Sequence, residues 1–170
     1  MTSGLNQFIQ SANETAAIKL QFDLVCSNAN LVNPECGAIG DALNTDLATP
    51  GIYYWSMLVG ESEYKIYVGK TNSLLRRIKD YLKEFQPHSP NDYKLRIFQQ
   101  AAVKRYPNAK FSLRFFSANV ANLTKLENDM VTLLDPLLNQ RAKPPAQAKT
   151  ALQHAFEAYY IAGFSTLLEQ

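Results

Sequence analysis

The stretch from residue 51 to residue 81, GIYYWSMLVGESEYKIYVGKTNSLLRRIKDY, constrains the fold of this chain more than any other segment. Residues 52–58 and 64–68 are rich in aromatic and β-branched side chains, which are typical of strands. The polar segment between them contains Gly60, so we expect a hairpin with a loop of four or five residues. The order strand, turn, strand and helix predicts that Tyr53, Tyr67 and Lys70 lie close together.

A helix is predicted to follow the hairpin, because apolar residues recur there at helical spacing. Asn72 or Ser73 can cap its first turn, and Pro87 limits it to about residue 85. At about 100° per residue, Arg77 and Tyr81 fall side by side on one rim of the buried face. Arg77 can therefore lean over the hairpin, although a surface arginine that snorkels to solvent has the same pattern. The outward positions hold three basic residues, Arg76, Lys79 and Lys83.

Three further elements are predicted in the central region: a helix over 92–106, a strand over 111–116 and a helix over 121–135. The first of these helices is basic and includes Lys94 and Arg96. The second carries an apolar stripe that includes Leu133, with Glu127 at the margin of the stripe. A carboxylate at such a margin is costly unless it is paired, hydrogen-bonded or metal-bound. Glu127 is therefore either a metal ligand or an ordinary carboxylate paired with a lysine.

The two ends of the chain carry no catalytic constellation. Apolar residues in the first dozen positions have helical spacing, whereas those from Ile18 to Leu24 alternate and are compatible with an extended segment. After Pro144 and Pro145, residues 146–168 predict a long helix with an aromatic stripe that either packs into the core or forms a homodimer interface. We therefore expect an N-terminal extension over 1–50, a core over 51–140 and a C-terminal helical extension over 141–170.

Composition restricts the class of protein further. The longest apolar runs are far short of the roughly 20 residues that a membrane span needs, so no membrane association is expected. The N-terminus has no basic residue before its apolar positions, which argues against a secretory signal. Cys26 and Cys36 are too few for a disulfide framework or a zinc site. Two free thiols and a cytoplasmic location are the resulting expectation.

The net charge of +2 is unevenly distributed along the chain. Residues 51–145 contain 15 Lys and Arg against 8 Asp and Glu, a net charge of +7, whereas residues 1–50 have a net charge of −4 and residues 146–170 of −1. A basic centre between acidic flanks suits a polyanionic partner such as nucleic acid.

Taken together, these residues resemble the GIY-YIG nucleases, which include homing endonucleases, some restriction enzymes and the first incision domain of bacterial nucleotide-excision repair. Gly51-Ile52-Tyr53 matches the first signature of that family, and Tyr67-Val68-Gly69 matches the second, with Val in place of Ile. Lys70, Arg77 and Tyr81 follow Tyr67 by three, ten and fourteen residues, a spacing similar to that of the repair enzymes. The resemblance extends to two later residues, Glu127 and, twelve positions on, Asn139.

The resemblance implies an α+β fold, with a small antiparallel three-stranded sheet flanked by helices and with helical N- and C-terminal extensions. It also implies a DNA endonuclease that hydrolyses phosphodiester bonds with one Mg²⁺ (or Mn²⁺) held by Glu127. Tyr53 would be the general base and Arg77 the phosphate ligand, while Lys70 would help to lower the pKa of Tyr53. The remaining catalytic positions would be Tyr67 and Tyr81, which hydrogen-bond the water or the phosphate, and Asn139, which fixes the backbone near the metal ligand.

DNA is expected to lie on the basic residues Arg76, Lys79, Lys83, Lys94 and Arg96. Some members of the family place a histidine after the first helix, and His88 is the candidate here. A nucleic-acid-binding module of the same fold without catalysis is the alternative function. Residues 1–50 and 140–170 match nothing in the family, so the sequence does not reveal which DNA sequence or structure is recognised.

Overall fold

The computed structural model describes residues 4–33, 39, 47–82, 91–140 and 153–169. One open antiparallel sheet has the order β1-β4-β2-β3 and contains β1 (Asp23–Cys26), β2 (Gly51–Val59), β3 (Ser62–Thr71) and β4 (Lys110–Ser117). The helices are α1 (Ala12–Gln21), α2 (Leu74–Leu82), α3 (Asn91–Arg105), α4 (Leu123–Leu134), α5 (Leu137–Gln140) and α6 (Gln153–Glu169). Short 3-10 turns cover Gly4–Phe8 and Val120–Asn122. The predicted α+β class is confirmed.

The sheet has four strands, so the prediction of three is wrong. The additional strand is β1, which pairs antiparallel with β4 and forms one edge of the sheet. The alternating segment from Ile18 to Leu24 is helical as far as Gln21 and extended only from Asp23. A capping box starts the helix, since Ser11 and Glu14 exchange side-chain-to-backbone hydrogen bonds. This local signal outweighs the alternation of apolar residues.

The β2–β3 loop is shorter than predicted. Pairing of the two strands continues to Val59 and Ser62, which leaves only Gly60 and Glu61 in the loop. Gly60 has φ of 59°, a conformation that a residue with a Cβ adopts only at a cost. Glycine at this position therefore permits the tight two-residue connection.

The two faces of the sheet are covered by different helices. Alternate residues of β2 point to opposite faces, so Tyr53 and Trp55 join one apolar cluster and Ile52 and Tyr54 join another. The first cluster includes buried residues of α2, α3 and α6, and the second includes residues of α1 and α4. The first cluster covers the front face of the sheet, and the second cluster covers the back face.

A bulge in β3 changes which side chains reach the front face. The register between β2 and β3 shifts after Trp55, so that Trp55 faces Tyr67 while Ser56 faces Lys65. Residues 65 and 67 would share a face in a regular strand. Instead Tyr67 packs against the front cluster, and Lys65 pairs with Glu14 of α1 on the back. The bulge thus re-aims Tyr67 toward Tyr53, a use of bulges that is common beside active sites.

Helix α4 crosses the back face and then turns toward the open edge of β3. Its last turn ends at Asp135, whose left-handed conformation, with φ of 46°, redirects the chain into α5. The apolar stripe predicted for this helix is correct for Leu123, Met130 and Leu134, which are buried. It is wrong for Leu133, which is 53% exposed because the contact face of α4 turns away from it.

Helix α6 contributes the last part of the front core. Tyr160, Phe164 and Leu168 are buried in the front cluster, and the ring of Phe164 meets that of Phe98 in α3 edge-on at 5.2 Å between centroids. The described part of the aromatic stripe is therefore core packing, and a homodimer through this helix stays a prediction. None of the described helices has the length and apolar character needed to span a bilayer.

Candidate active site

Three side chains of the front face meet in one hydrogen-bonded cluster. The hydroxyl groups of Tyr53 and Tyr81 lie 2.9 Å apart, and Arg77 Nε donates to the Tyr53 hydroxyl at 3.0 Å. The guanidinium carbon of Arg77 also lies 4.9 Å from the centroid of the Tyr81 ring. Ser73 begins α2 by accepting a hydrogen bond from the Arg76 backbone. This start orients the helix so that Arg77 and Tyr81 share one rim, as predicted.

The two signature glycines make the cluster sterically possible. Gly69 lies opposite Tyr53 in the sheet, and a Cβ at residue 69 would overlap the hydroxyl oxygen and ring of Tyr53. A Cβ at Gly51 would overlap the Phe116 carbonyl oxygen and the ring of Phe115. Both positions therefore require glycine because another group occupies the space of a side chain, and neither glycine needs a left-handed conformation.

The tyrosines of the cluster are protonated in the free protein. Burial raises the pKa of Tyr53 well above its usual value, Tyr81 adds to this rise and Arg77 opposes it. Burial also raises the pKa values of Tyr67 and Tyr81, and Arg77 again acts in the opposite direction. Desolvation of the charged form outweighs the attraction of one guanidinium at this site. Each hydroxyl is thus a hydrogen-bond donor near neutral pH.

Tyr67 occupies the side of the cluster that is open to solvent. Its ring centroid lies 6.0 Å from that of Tyr53, with an angle of 48° between the planes, and the residue is partly exposed. Tyr53, by contrast, is 1% exposed. A substrate phosphate that approaches the cluster would consequently meet Tyr67 and Arg77 before it reaches the Tyr53 hydroxyl.

Glu127 lies across the edge of β3 from this cluster. Its side chain is 22% exposed, and Oε2 lies 3.2 Å from Lys70 Nζ. Lys70 also donates to the Thr124 hydroxyl at 2.9 Å, so both of its partners are on α4. Burial is the main cause of the raised pKa of Tyr67, and the negative charge of Glu127 adds to the rise.

Asn139 joins α5 to the open edge of β3. Its side-chain amide accepts from the Val68 backbone N–H at 2.8 Å and donates to the Val68 carbonyl at 2.7 Å. An amide side chain with this geometry satisfies both groups of an edge residue, as a neighbouring strand would. The pair of hydrogen bonds fixes the backbone between Tyr67 and Gly69, and the role of Asn139 near the metal ligand stays a prediction.

One carboxylate at this edge, that of Glu127, is the type of ligand that a hard divalent cation takes. The described residues contain no group of three or more His, Cys, Asp or Glu side chains that could hold a metal. Mg²⁺ nevertheless binds through one or two carboxylates and completes its shell with water and phosphate oxygens. Glu127, which is partly exposed beside the tyrosine cluster, offers one such carboxylate, and it would have to exchange its contact with Lys70 for the cation.

A basic cleft of about 350 Å³ lies between the start of α2 and the start of α4. Lys70, Arg76 and Arg77 bring three positive charges to it, and Asp80 is the single acid in its lining. Thr124 and Asn72 add uncharged polar groups. The excess of positive charge and the open, polar lining suit a phosphate group.

The residues predicted to bind DNA differ in their exposure to solvent. Arg76 and Lys79 are exposed on α2, and Arg96 is partly exposed on α3. Lys94 is 6% exposed, and its ammonium donates to the Leu138 carbonyl at 2.9 Å. A DNA contact does not fit that burial, so the prediction for Lys94 is corrected to an interior position. Two predicted residues lie outside the described residues, Lys83 and His88.

Two features of the site were missed by reasoning from sequence. The first is Thr124, which lies three residues before Glu127 and therefore on the same face of α4. This spacing could have identified Thr124 as a second partner of Lys70. The ammonium of Lys94 lies 4.9 Å from the centroid of the Tyr67 ring. No local pattern indicates this contact, because it depends on how α3 packs against β3.

Comparison with known proteins adds no family assignment. No family model matches the chain, and a search of curated proteins finds no match.

Proposed function

We propose that this chain is a metal-dependent DNA endonuclease of the GIY-YIG type, which hydrolyses phosphodiester bonds with Mg²⁺ or Mn²⁺. The observation that supports it best is the cluster of Arg77, Tyr53 and Tyr81 beside the pair of Lys70 and Glu127. The resemblance selects all five residues from sequence order alone, and two of them, Lys70 and Arg77, line one basic cleft. A structural protein with a chance motif would have no reason to gather them.

The phosphate of the scissile bond is the proposed ligand of Arg77. A guanidinium is always charged and presents a planar fork that matches phosphate oxygens. Arg77 lines the cleft and is held against Tyr53 and Tyr81, so its orientation is fixed before substrate binds. Arg76 and Lys79, which are exposed on the same helix, would hold the flanking phosphates.

Proton transfer is assigned to Tyr53. Its hydroxyl would first release its own proton to solvent. The resulting tyrosinate, stabilised by the 3.0 Å hydrogen bond from Arg77, would then accept the proton of the attacking water. The hydroxyls of Tyr67 and Tyr81 would orient the water and the phosphate. Glu127 would hold the cation, which when bound polarises the phosphate and stabilises the leaving oxygen. Lys70, released from Glu127, would turn toward the phosphate from the opposite wall of the cleft.

A nucleic-acid-binding module without catalysis is the second candidate, and two observations favour it. Burial keeps Tyr53 protonated in spite of Arg77, and Lys70 already neutralises Glu127. Both features would persist in a protein that binds DNA through the basic cleft alone. Such a protein would bind DNA but would not cleave it with any divalent cation.

Nicking of supercoiled plasmid separates the two candidates. Purified protein is incubated with plasmid in Mg²⁺, in Mn²⁺ and in excess chelator, and DNA binding is measured in parallel. The nuclease proposal predicts open-circular or linear product with either cation and none with chelator. Full binding without product under all three conditions supports the binding module. The pattern of cuts on a long defined DNA would then show whether the enzyme selects a sequence, a structure or neither.

A further inference from the structure

Lys94 is a buried cation outside the motif, and it lies against the tyrosine cluster. It is the fourth residue of α3, a helix that contributes none of the residues selected by the resemblance. Its side chain is buried, its ammonium donates to the Leu138 carbonyl, and the same ammonium lies 4.9 Å from the centroid of the Tyr67 ring. Burying an ammonium group is costly in free energy unless the group is paired or hydrogen-bonded. A lysine at this position therefore needs compensating contacts, whereas an apolar side chain would need none.

Lys94 provides a second link between Tyr67 and α5, in addition to the link through Asn139. Tyr67 and Val68 are consecutive in β3, and Leu138 and Asn139 are consecutive in α5. Asn139 binds both backbone groups of Val68, while Lys94 joins the Leu138 carbonyl to the face of the Tyr67 ring. The contacts of Asn139 therefore fix the backbone of β3, and the contacts of Lys94 fix the side chain of Tyr67.

Tyr67 needs such support because of its position in β3. It follows the bulge, where the regular alternation of the strand is interrupted, and it belongs to an edge strand. On the front face its ring meets Tyr53 at a centroid distance of 6.0 Å, and the rest of the residue is partly open to solvent. A cation over a ring face is an attractive contact with a defined direction, and it strengthens when water is excluded.

We propose that Lys94 is a positioning residue, whose ammonium fixes the ring of Tyr67 at the mouth of the active site by joining it to the Leu138 carbonyl. This inference rests on the proposed nuclease function for its catalytic consequence. Its structural content, that Lys94 orients Tyr67, does not depend on DNA cleavage. The two parts can accordingly be measured separately.

The catalytic part is tested by the steady-state kinetics of Lys94→Met, with Lys104→Met as the matched control. Lys104 is an exposed lysine of the same helix. We expect Lys94→Met to lower kcat by about 10–100-fold, as misplacement of a reacting group does, with KM changed less than about 2-fold. Lys94→Arg, which keeps the charge, should recover most of the loss. In a Tyr67→Phe background, Lys94→Met should cause little further loss, because the group that it positions is already absent.

The structural part uses protein labelled with 3-fluorotyrosine and observed by fluorine NMR. The Tyr67 resonance is identified by its disappearance in Tyr67→Phe. It should move or broaden in Lys94→Met and stay in place in Lys104→Met. Should Lys94→Met fail to fold, Lys94→Gln keeps a donor for the Leu138 carbonyl, removes the charge and should give the same displacement.

An unmoved Tyr67 resonance in a folded Lys94 variant would overturn the inference. Equal rate losses in the wild-type and Tyr67→Phe backgrounds would also overturn it, since Lys94 would then act independently of that ring. If the wild-type protein does not cleave DNA at all, the nuclease proposal fails instead. In that event the fluorine resonance alone decides whether Lys94 orients Tyr67.

Discussion

Arg77 Nε donates a hydrogen bond to the hydroxyl of Tyr53 at 3.0 Å, so the guanidinium group of a residue in α2 contacts the phenol of a central strand of the sheet. The two residues are 24 positions apart in the chain, and the start of α2 after β3 brings them together. The neighbouring Tyr54 points to the back face, where its hydroxyl donates to Gln10 at 2.7 Å. Adjacent tyrosines of one strand are thus placed in a candidate active site and in a structural network.

Tyr53→Phe and Tyr54→Phe are therefore a matched pair. Removing the Tyr53 hydroxyl should lower the cleavage rate by roughly 10²–10⁴-fold, the usual contribution of a general base. Tyr54→Phe should leave the rate unchanged and lower the free energy of unfolding by about 1 kcal/mol, because one partly buried hydrogen bond is lost. Single-turnover cleavage and urea unfolding measure the two effects. Comparable cleavage by Tyr53→Phe and wild type would remove Tyr53 from the base role.

Gly69→Ala should disturb the site through the ring of Tyr53. The added Cβ would overlap the ring and hydroxyl, so Tyr53 must shift or the strands must separate. Overpacking of this kind costs typically 1–3 kcal/mol of folding stability, and the displaced hydroxyl should slow cleavage as well. Gly163→Ala in α6 is the control, because a Cβ there meets no atom within 4 Å. It should be neutral or slightly stabilising, since alanine favours helix. Unchanged stability and rate in Gly69→Ala would contradict the close contact between Tyr53 and Gly69.

The pair of Glu14 and Lys65 should make part of the stability depend on acid pH. Burial alone would raise the pKa of Glu14, but the hydrogen bonds from Lys65 and Ser11 outweigh it and lower the pKa below the usual 4.5. Because the folded-state pKa is the lower one, this stability is present above about pH 4.5 and is lost as pH falls through the folded-state value. Glu14→Gln should cost about 1–3 kcal/mol at pH 7 and much less at pH 3.

Urea unfolding of the wild type and Glu14→Gln at both pH values checks this prediction. Asp129→Asn is the control, because Asp129 forms an exposed i,i+4 pair with Lys125 that contributes little at any pH. A difference between wild type and Glu14→Gln that is the same at pH 7 and pH 3 would show that ionisation of Glu14 is not involved.

DNA affinity should fall log-linearly with salt concentration if the basic cleft and α2 hold phosphates. Arg76→Ala and Lys79→Ala should each weaken binding to all sequences similarly and reduce the salt slope by about one. Lys104→Ala, in α3 beside α6 and not in the lining of the basic cleft, should change neither quantity. Fluorescence anisotropy across a salt series measures both. A flat salt response of the wild type would exclude the proposed surface.

The sequence predicted the elements of the core well, because their signals are local. The hairpin, the helix after Ser73 and the rim shared by Arg77 and Tyr81 depend on residue type and helical spacing. An extended segment as far as Leu24 was expected, but its place as a fourth strand of the sheet was not predicted, because that depends on pairing with β4, more than 80 residues away. Lys94 was assigned to the DNA-binding surface because it is one of the basic residues of α3, and its contact with the Leu138 carbonyl of α5, which no local pattern indicates, places its ammonium inside.

Metal-dependent cleavage should depend most directly on Glu127, and single-turnover cleavage by Glu127→Ala tests this dependence. Asp129→Ala, an exposed acid of the same helix, is the matched control. In Mg²⁺, Glu127→Ala should lose cleavage while its DNA affinity stays close to that of the wild type, because Lys and Arg carry binding. Asp129→Ala should cleave and bind like the wild type. Cleavage by Glu127→Ala at the wild-type rate would contradict the metal site and, with it, the proposed nuclease mechanism.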